Sequence, residues 1–115
     1  MRAIILALLA MTTTVALADE ADDARRLAVS GRDAYWNCLA REYPRDSNRT
    51  LSEQDFGAMI AIACPSERQN FRVALVDYLR TQSASDAGMA TANTAIALAQ
   101  KDIASAFARR KAAAK

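Results

Sequence analysis

The sequence predicts an all-α protein, a small three- or four-helix bundle stapled by one disulfide and ending in a long alanine-rich C-terminal helix. Beyond the N-terminal segment, alanine dominates and β-branched runs are absent, a composition that favours helix. Proline, which interrupts helices, occurs only as Pro44 and Pro65. Apolar side chains recur near the helical period in the C-terminal third. The two cysteines, Cys38 and Cys64, supply the staple.

Residues 1–18 have the order of parts found in a cleaved secretory signal. Arg2 is followed by the apolar run Ala3–Met11 and then by Ala16-Leu17-Ala18, which places small residues where signal peptidase cuts. A membrane anchor needs about 20 apolar residues, and here polar threonines interrupt the run after Met11. We therefore expect this segment to be removed and residues 19–115 to form a single helical domain, periplasmic or secreted.

The cysteine pair indicates a structural disulfide, because an even cysteine count in an exported chain is typical of one. Bridging Cys38 to Cys64 would close a loop of about 27 residues and stabilise the fold by roughly 3.5 kcal/mol. Catalytic dithiols are usually separated by only two residues, whereas these cysteines lie much farther apart. Catalytic or regulatory thiols, and pairing between chains, are the alternatives.

Four helices are expected, at 19–43, 52–64, 65–82 and 86–110. The first should end before Pro44, which pushes the preceding residue out of the helical region. Thr50 with Glu53, and Ser52 with Asp55, form overlapping capping-box candidates for the second helix. Pro65 can occupy the first position of the third helix, where its missing N–H costs nothing. The segment 82–88 contains turn-forming residues and either breaks or bends the chain.

The last predicted helix carries an apolar stripe at close to a 3.6-residue period, formed by Met89, Ala92, Ile96, Ala99, Ile103 and Phe107. Because its bulky side chains are few, the stripe predicts packing on the rest of the bundle or on a second copy of the chain. The end of the chain, from Ala106 to Lys115, is expected to fray.

Aromatic residues are densest around Cys38, where Tyr35 and Trp36 precede it and Tyr43 follows. One interpretation is core packing around the disulfide. The other is a patch that anchors a protein partner, since Trp, Tyr and Arg dominate such anchors. The candidate partner-binding face comprises Val29, Arg32, Trp36, Leu39 and Tyr43.

A second candidate surface is the basic C-terminal stretch, formed by Lys101, Arg109, Arg110, Lys111 and Lys115. Cations in a last helical turn complement the helix dipole, which requires no ligand. The alternative is weak, salt-sensitive contact with an anionic surface.

The residue types that are missing exclude several classes of chemistry. The chain has no histidine, and so lacks the commonest general base and the commonest neutral metal ligand. It has three glycines and no phosphate-binding loop motif. Its net charge of +2 is too small for bulk nucleic-acid binding. We therefore expect no catalytic residue, no metal site, no cofactor and no nucleic-acid partner.

The residues around the cysteines include Tyr35-Trp36-Asn37-Cys38 and, farther on, Ala63-Cys64, Phe71 and Tyr78. This set resembles the periplasmic HdeA-type acid-stress chaperones, which are small exported helical proteins with one disulfide. The cysteine spacing is much shorter here than in that family, and the long C-terminal helix has no matching counterpart there. The resemblance implies only a class of protein that is small, stapled, helical and outside the cytoplasm, and it assigns no residue roles.

Together these features favour a small exported binding or interaction protein of the cell envelope without catalytic activity. Its expected partner is a protein, and self-association into a homo-oligomer is a further option. A periplasmic holdase-type stress chaperone is the alternative, followed by a small redox protein or enzyme.

Overall fold

The structure, a computed structural model, describes the backbone of residues 2–83 and 87–114 and the side chains of residues 19–83 and 87–114. Across these residues the chain is helical: α1 spans Arg2–Ala40, α2 Glu53–Ile62, α3 Pro65–Gln82 and α4 Gly88–Ala113, with a 3-10 turn at Asp46–Asn48. The predicted all-α class, the single disulfide and the long C-terminal helix are confirmed.

The first helix differs from its expected bounds at both ends. α1 begins at Arg2, so the backbone of the expected signal segment is helical and continues into the domain. The side chains of that segment lie outside the described residues. At its other end α1 stops at Ala40, because the N–H groups of Arg41 and Glu42 donate three residues back, to Cys38 and Leu39. Tyr43 therefore lies in a turn. Across the described side chains, no helix is long and apolar enough to cross a membrane.

Local signals place the starts of α2 and α3. The hydroxyl of Ser52 accepts a 3.0 Å hydrogen bond from the backbone N–H of Asp55, as the capping-box motif predicts. α2 ends at Ile62, and Cys64 then takes a left-handed conformation with φ of 53°. Pro65 follows as the first residue of α3. The break between α2 and α3 thus falls at the cysteine that forms the disulfide.

The segment between α3 and α4 breaks the helix. Ser83 is extended, with φ of −158° and ψ of 144°, and α4 begins at Gly88. Residues 84–86, including Asp86 where the last helix was expected to begin, lie outside the described residues.

The C-terminal end of the chain was expected to fray from Ala106. This prediction is wrong, because α4 remains helical to Ala113.

α1 runs antiparallel to α3, and α4 runs antiparallel to both α2 and α3. α1 lies mainly on α3, and α4 packs against both α2 and α3. Gly31 marks a close approach of α1 to α3, since a Cβ atom built there would lie 3.1 Å from the Cα atom of Phe71. Farther along the same pair, the disulfide joins Cys38 to Cys64. Because α1 and α4 each run antiparallel to α3, they run parallel to each other.

The core lies where the four helices meet. Its buried residues are Tyr35, Leu39, Phe56, Ile60, Phe71, Ile96, Ala99, Ile103 and Phe107. The rings of Phe56 and Phe107 stack with centroids 3.9 Å apart and join α2 to α4. The fully buried Tyr35 hydroxyl accepts a 3.0 Å hydrogen bond from the Gln100 side chain. The α4 stripe therefore packs on its own bundle, with only Met89, 50% exposed, outside the contact.

Candidate functional site: an aromatic and cationic groove

One groove contains residues of both candidate surfaces. It lies between the end of α1 and the last turns of α4 and has a volume of about 460 Å³. We call it the α1–α4 groove; its lining residues are Trp36, Ala40, Tyr43, Asp102, Ile103, Ala106 and Arg109. The parallel course of α1 and α4 brings these residues together although more than 60 positions separate Trp36 from Asp102. Trp36 and Tyr43 are half-buried here, so each keeps surface for a ligand.

A second recess begins where this groove reaches Tyr43. It has a volume of about 320 Å³ and is lined by Tyr43, Pro44, Arg45, Arg49, Phe107, Arg110, Lys111 and Ala114. We call it the cationic cleft. Because Tyr43 lines both recesses, the α1–α4 groove and the cationic cleft form one continuous surface at this end of the bundle.

The apolar wall of the cationic cleft is held in place by the core. Phe107 is buried and stacks on Phe56, so its ring has a fixed orientation. The ammonium group of Lys111 lies 5.7 Å from the centroid of the Phe107 ring and donates a 2.6 Å hydrogen bond to the backbone carbonyl of Leu51. Lys111 is therefore a fixed cation rather than part of a free tail.

Two further cations come from the connection between α1 and α2. Arg45 pairs with Glu42 at 3.5 Å, and Arg49 pairs with Asp46 at 2.5 Å. The side-chain amide of Asn48 donates a 2.9 Å hydrogen bond to the carbonyl of Glu42, which ties the 3-10 turn back to the end of α1. This turn carries both guanidinium groups to the mouth of the cleft. Opposite them, Arg110 is exposed, and its guanidinium group makes no ion pair or hydrogen bond with another described residue.

The candidate partner-binding face does not form a single exposed surface. Leu39 is 0% exposed and belongs to the core, so its assignment to an accessible face is corrected. The reason is that α1 is covered by α3 on one side and by the end of α4 on another. Val29 and Arg32 are exposed on earlier turns of α1 and line neither recess, and Arg32 pairs with Asp33 at 3.2 Å. Trp36 and Tyr43 are the members of this face that line the groove.

The residues of the basic C-terminal stretch also lie in different places. Arg109 lines the α1–α4 groove, and Arg110 and Lys111 line the cationic cleft. Lys101 is exposed more than two turns earlier on α4 and lines neither recess. Lys115 lies outside the described residues.

Reasoning from the sequence missed Arg45, Arg49 and Phe107 as parts of the site. The first two stand in a polar connection, and Phe107 reads as a core residue of an amphipathic helix. The available signal was the presence of Arg45 and Arg49 in one short connection after Pro44. Nothing local indicates that this turn lies against the last turns of α4.

The cysteines are joined within the chain, as predicted. Their Cα atoms are 6.3 Å apart, inside the range that a disulfide requires. The Glu67 carboxylate lies with the two sulfur atoms inside a 4.8 Å cluster. Because both sulfurs are bonded to each other, neither is the thiolate that a metal ion would need. The groove and cleft offer guanidinium, ammonium and aromatic groups, and the groove also offers the carboxylate of Asp102. Comparison of the chain with protein-family models, with curated proteins and with solved structures finds no match.

Proposed function

We propose that the protein is a small exported binding protein of the cell envelope, without catalytic activity, that holds its partner in the α1–α4 groove and the cationic cleft. The observation that carries this proposal is the role of Tyr43, which joins an aromatic groove to a cationic cleft in one surface. Half-buried aromatic residues next to arginines are the groups that dominate binding energy at interfaces.

Export to the periplasm or the medium is part of the same proposal. The signal-like order of residues 1–18 and the intramolecular disulfide both support it, because disulfides persist in oxidising compartments. N-terminal sequencing of the protein recovered from the envelope or medium should begin at Asp19. A chain recovered there that begins at Met1 would overturn the predicted cleavage.

Site-specific crosslinking tests the groove directly. A photoreactive amino acid placed at Ala40, inside the α1–α4 groove, should give a discrete adduct in intact cells. Ala106→Gln should abolish the adduct, because a longer side chain at this half-buried position fills the groove. Leu98→Ala, on an exposed face of the same helix, is the matched control and should leave the adduct unchanged. An adduct that forms equally in all three backgrounds would contradict binding in the groove.

The holdase alternative makes a different prediction. A stress chaperone of this kind exposes apolar surface only under stress, so it should bind a hydrophobic dye strongly at low pH and weakly at neutral pH. We expect no such rise, because no charged side chain is buried among the described residues and acid has no buried ion to neutralise. Acid-induced dye binding together with suppressed aggregation of a client protein would favour the chaperone.

A redox role would instead require loss of function in Cys38→Ser with the fold intact.

A further inference from the structure

We propose that the cationic cleft recognises a dianionic phosphate group, carried as a phosphomonoester on an organic ligand. This inference rests on the proposed function, because it names the chemical group that is bound at one end of the same site. It concerns the cleft formed by Arg45, Arg49, Arg110 and Lys111 around the rings of Tyr43 and Phe107.

The charges around the cleft favour a dianion. Four cations line it, and two of them already pair with carboxylates, Arg45 with Glu42 and Arg49 with Asp46. Arg110 has no charged partner among the described residues, and Lys111 donates to a neutral carbonyl. Among the described residues, Arg110 and Lys111 therefore have no carboxylate partner, and a phosphomonoester dianion would match their two charges where a single carboxylate would match one.

The dipole of α4 does not explain this arrangement. Cations at a helix C-terminus are stabilised by the helix itself, which accounts for Arg110 and Lys111. Arg45 and Arg49 come from a different element, the turn after α1, and have no such relationship to α4. Guanidinium groups that converge from two elements suit phosphate, because each can donate two parallel hydrogen bonds to its oxygens.

The size and walls of the cleft indicate that the phosphate is attached to an organic group. A volume of about 320 Å³ lies in the range of small-ligand sites and exceeds what one phosphate fills. Tyr43, which is half-buried, provides apolar surface beside the cations, where a ring or an alkyl chain next to the phosphate can pack.

A matched pair of probes tests the charge requirement. Phenyl phosphate and benzoate carry the same ring, but phenyl phosphate is a dianion at neutral pH and benzoate is a monoanion. Calorimetric titration of the mature protein at low ionic strength should show phenyl phosphate binding about tenfold more tightly, since one extra charge-assisted contact supports such a difference. Equal affinity for the two probes would overturn the assignment.

Substitutions of single arginines test whether phenyl phosphate binds in the cationic cleft. Arg110→Gln and Arg49→Gln should each weaken phenyl phosphate binding by about tenfold. Arg80→Gln, at the far end of α3, removes an exposed arginine away from the cleft and should leave the affinity unchanged. Circular dichroism should show the same helicity in all three variants. Equal losses in all three, or no loss in either cleft variant, would overturn the site.

Vesicles distinguish the source of the phosphate. Binding to phosphatidylcholine vesicles that contain phosphatidic acid, reversed by phenyl phosphate, would assign a lipid headgroup. Binding of phenyl phosphate without vesicle binding would assign a soluble phosphomonoester, and either result supports the cleft. If phenyl phosphate fails to bind while the Ala40 crosslink is still abolished by Ala106→Gln, the phosphate inference is wrong and the proposed function stands.

Discussion

Lys111 and Leu51 are joined by a 2.6 Å hydrogen bond from the lysine ammonium group to the leucine carbonyl, across 60 positions of sequence. The same ammonium group lies over the ring of Phe107. These contacts tie the last turns of α4 to the connection before α2. They explain why the end of the chain forms a wall of a cleft instead of a free basic extension.

Lys111→Met should therefore lower the free energy of unfolding by about 1–2 kcal/mol, because it removes a charge-assisted hydrogen bond and a cation–π contact. Arg110→Gln, which removes the neighbouring charge but no described contact, should change stability by less than about 0.5 kcal/mol. Urea denaturation followed by circular dichroism measures both values. Equal effects would contradict a structural role for Lys111.

Gly31 and Gly57 should respond to alanine in opposite ways. Gly31→Ala should destabilise the protein by about 1–3 kcal/mol, because the new methyl group would lie 3.1 Å from the backbone of Phe71 and push α1 away from α3. Gly57→Ala places its methyl group in open space within α2 and should stabilise by up to about 1 kcal/mol. Melting temperatures of the two variants should therefore shift in opposite directions. A stabilising Gly31→Ala would show that the two helices are not in close contact there.

Ile103 and Leu98 test the orientation of α4. Ile103 is 4% exposed in the core and Leu98 is 55% exposed on the same helix. Ile103→Asp should destabilise by more than about 4 kcal/mol, because it buries an unpaired carboxylate. Leu98→Asp should cost less than about 1 kcal/mol. Sizing chromatography should show the Ile103 variant unfolding rather than dissociating, since its stripe packs within one chain.

The disulfide should contribute a large part of the stability. Cys38→Ser combined with Cys64→Ser should lower the free energy of unfolding by about 2–5 kcal/mol, because the open chain has more unfolded conformations. Reducing agent should lower the melting temperature of the native protein and leave that of the double variant unchanged. Alkylation of the denatured, non-reduced native protein should label neither cysteine, and labelling of both would contradict the bond.

Much of the fold was predictable because its causes are local. The cap at Ser52, the start of α3 at Pro65 and the stripe of α4 follow from hydrogen bonds and periodicities that span a few residues. The early end of α1 at Ala40 was not predicted. It depends on backbone hydrogen bonds from Arg41 and Glu42 to carbonyls three residues earlier in the chain. No single residue type specifies such bonds.

The candidate site was predicted only in its parts. The sequence marked Trp36 and Tyr43 as one surface and Arg109 to Lys111 as another, and it placed Leu39 with the first. The structure buries Leu39 and joins the two surfaces at Tyr43, because α1 packs against both α3 and α4.

By itself the sequence determined the helical class and the helix starts at Ser52 and Pro65, since each depends on neighbouring residues, and it left one possible cysteine pairing within the chain. Only the tertiary structure decided that the arginines of the turn after α1 face the last cations of α4. For these arginines to face those cations, α1 and α4 must both run antiparallel to α3. Such an arrangement arises from side chains packing across long separations, which local periodicity does not encode.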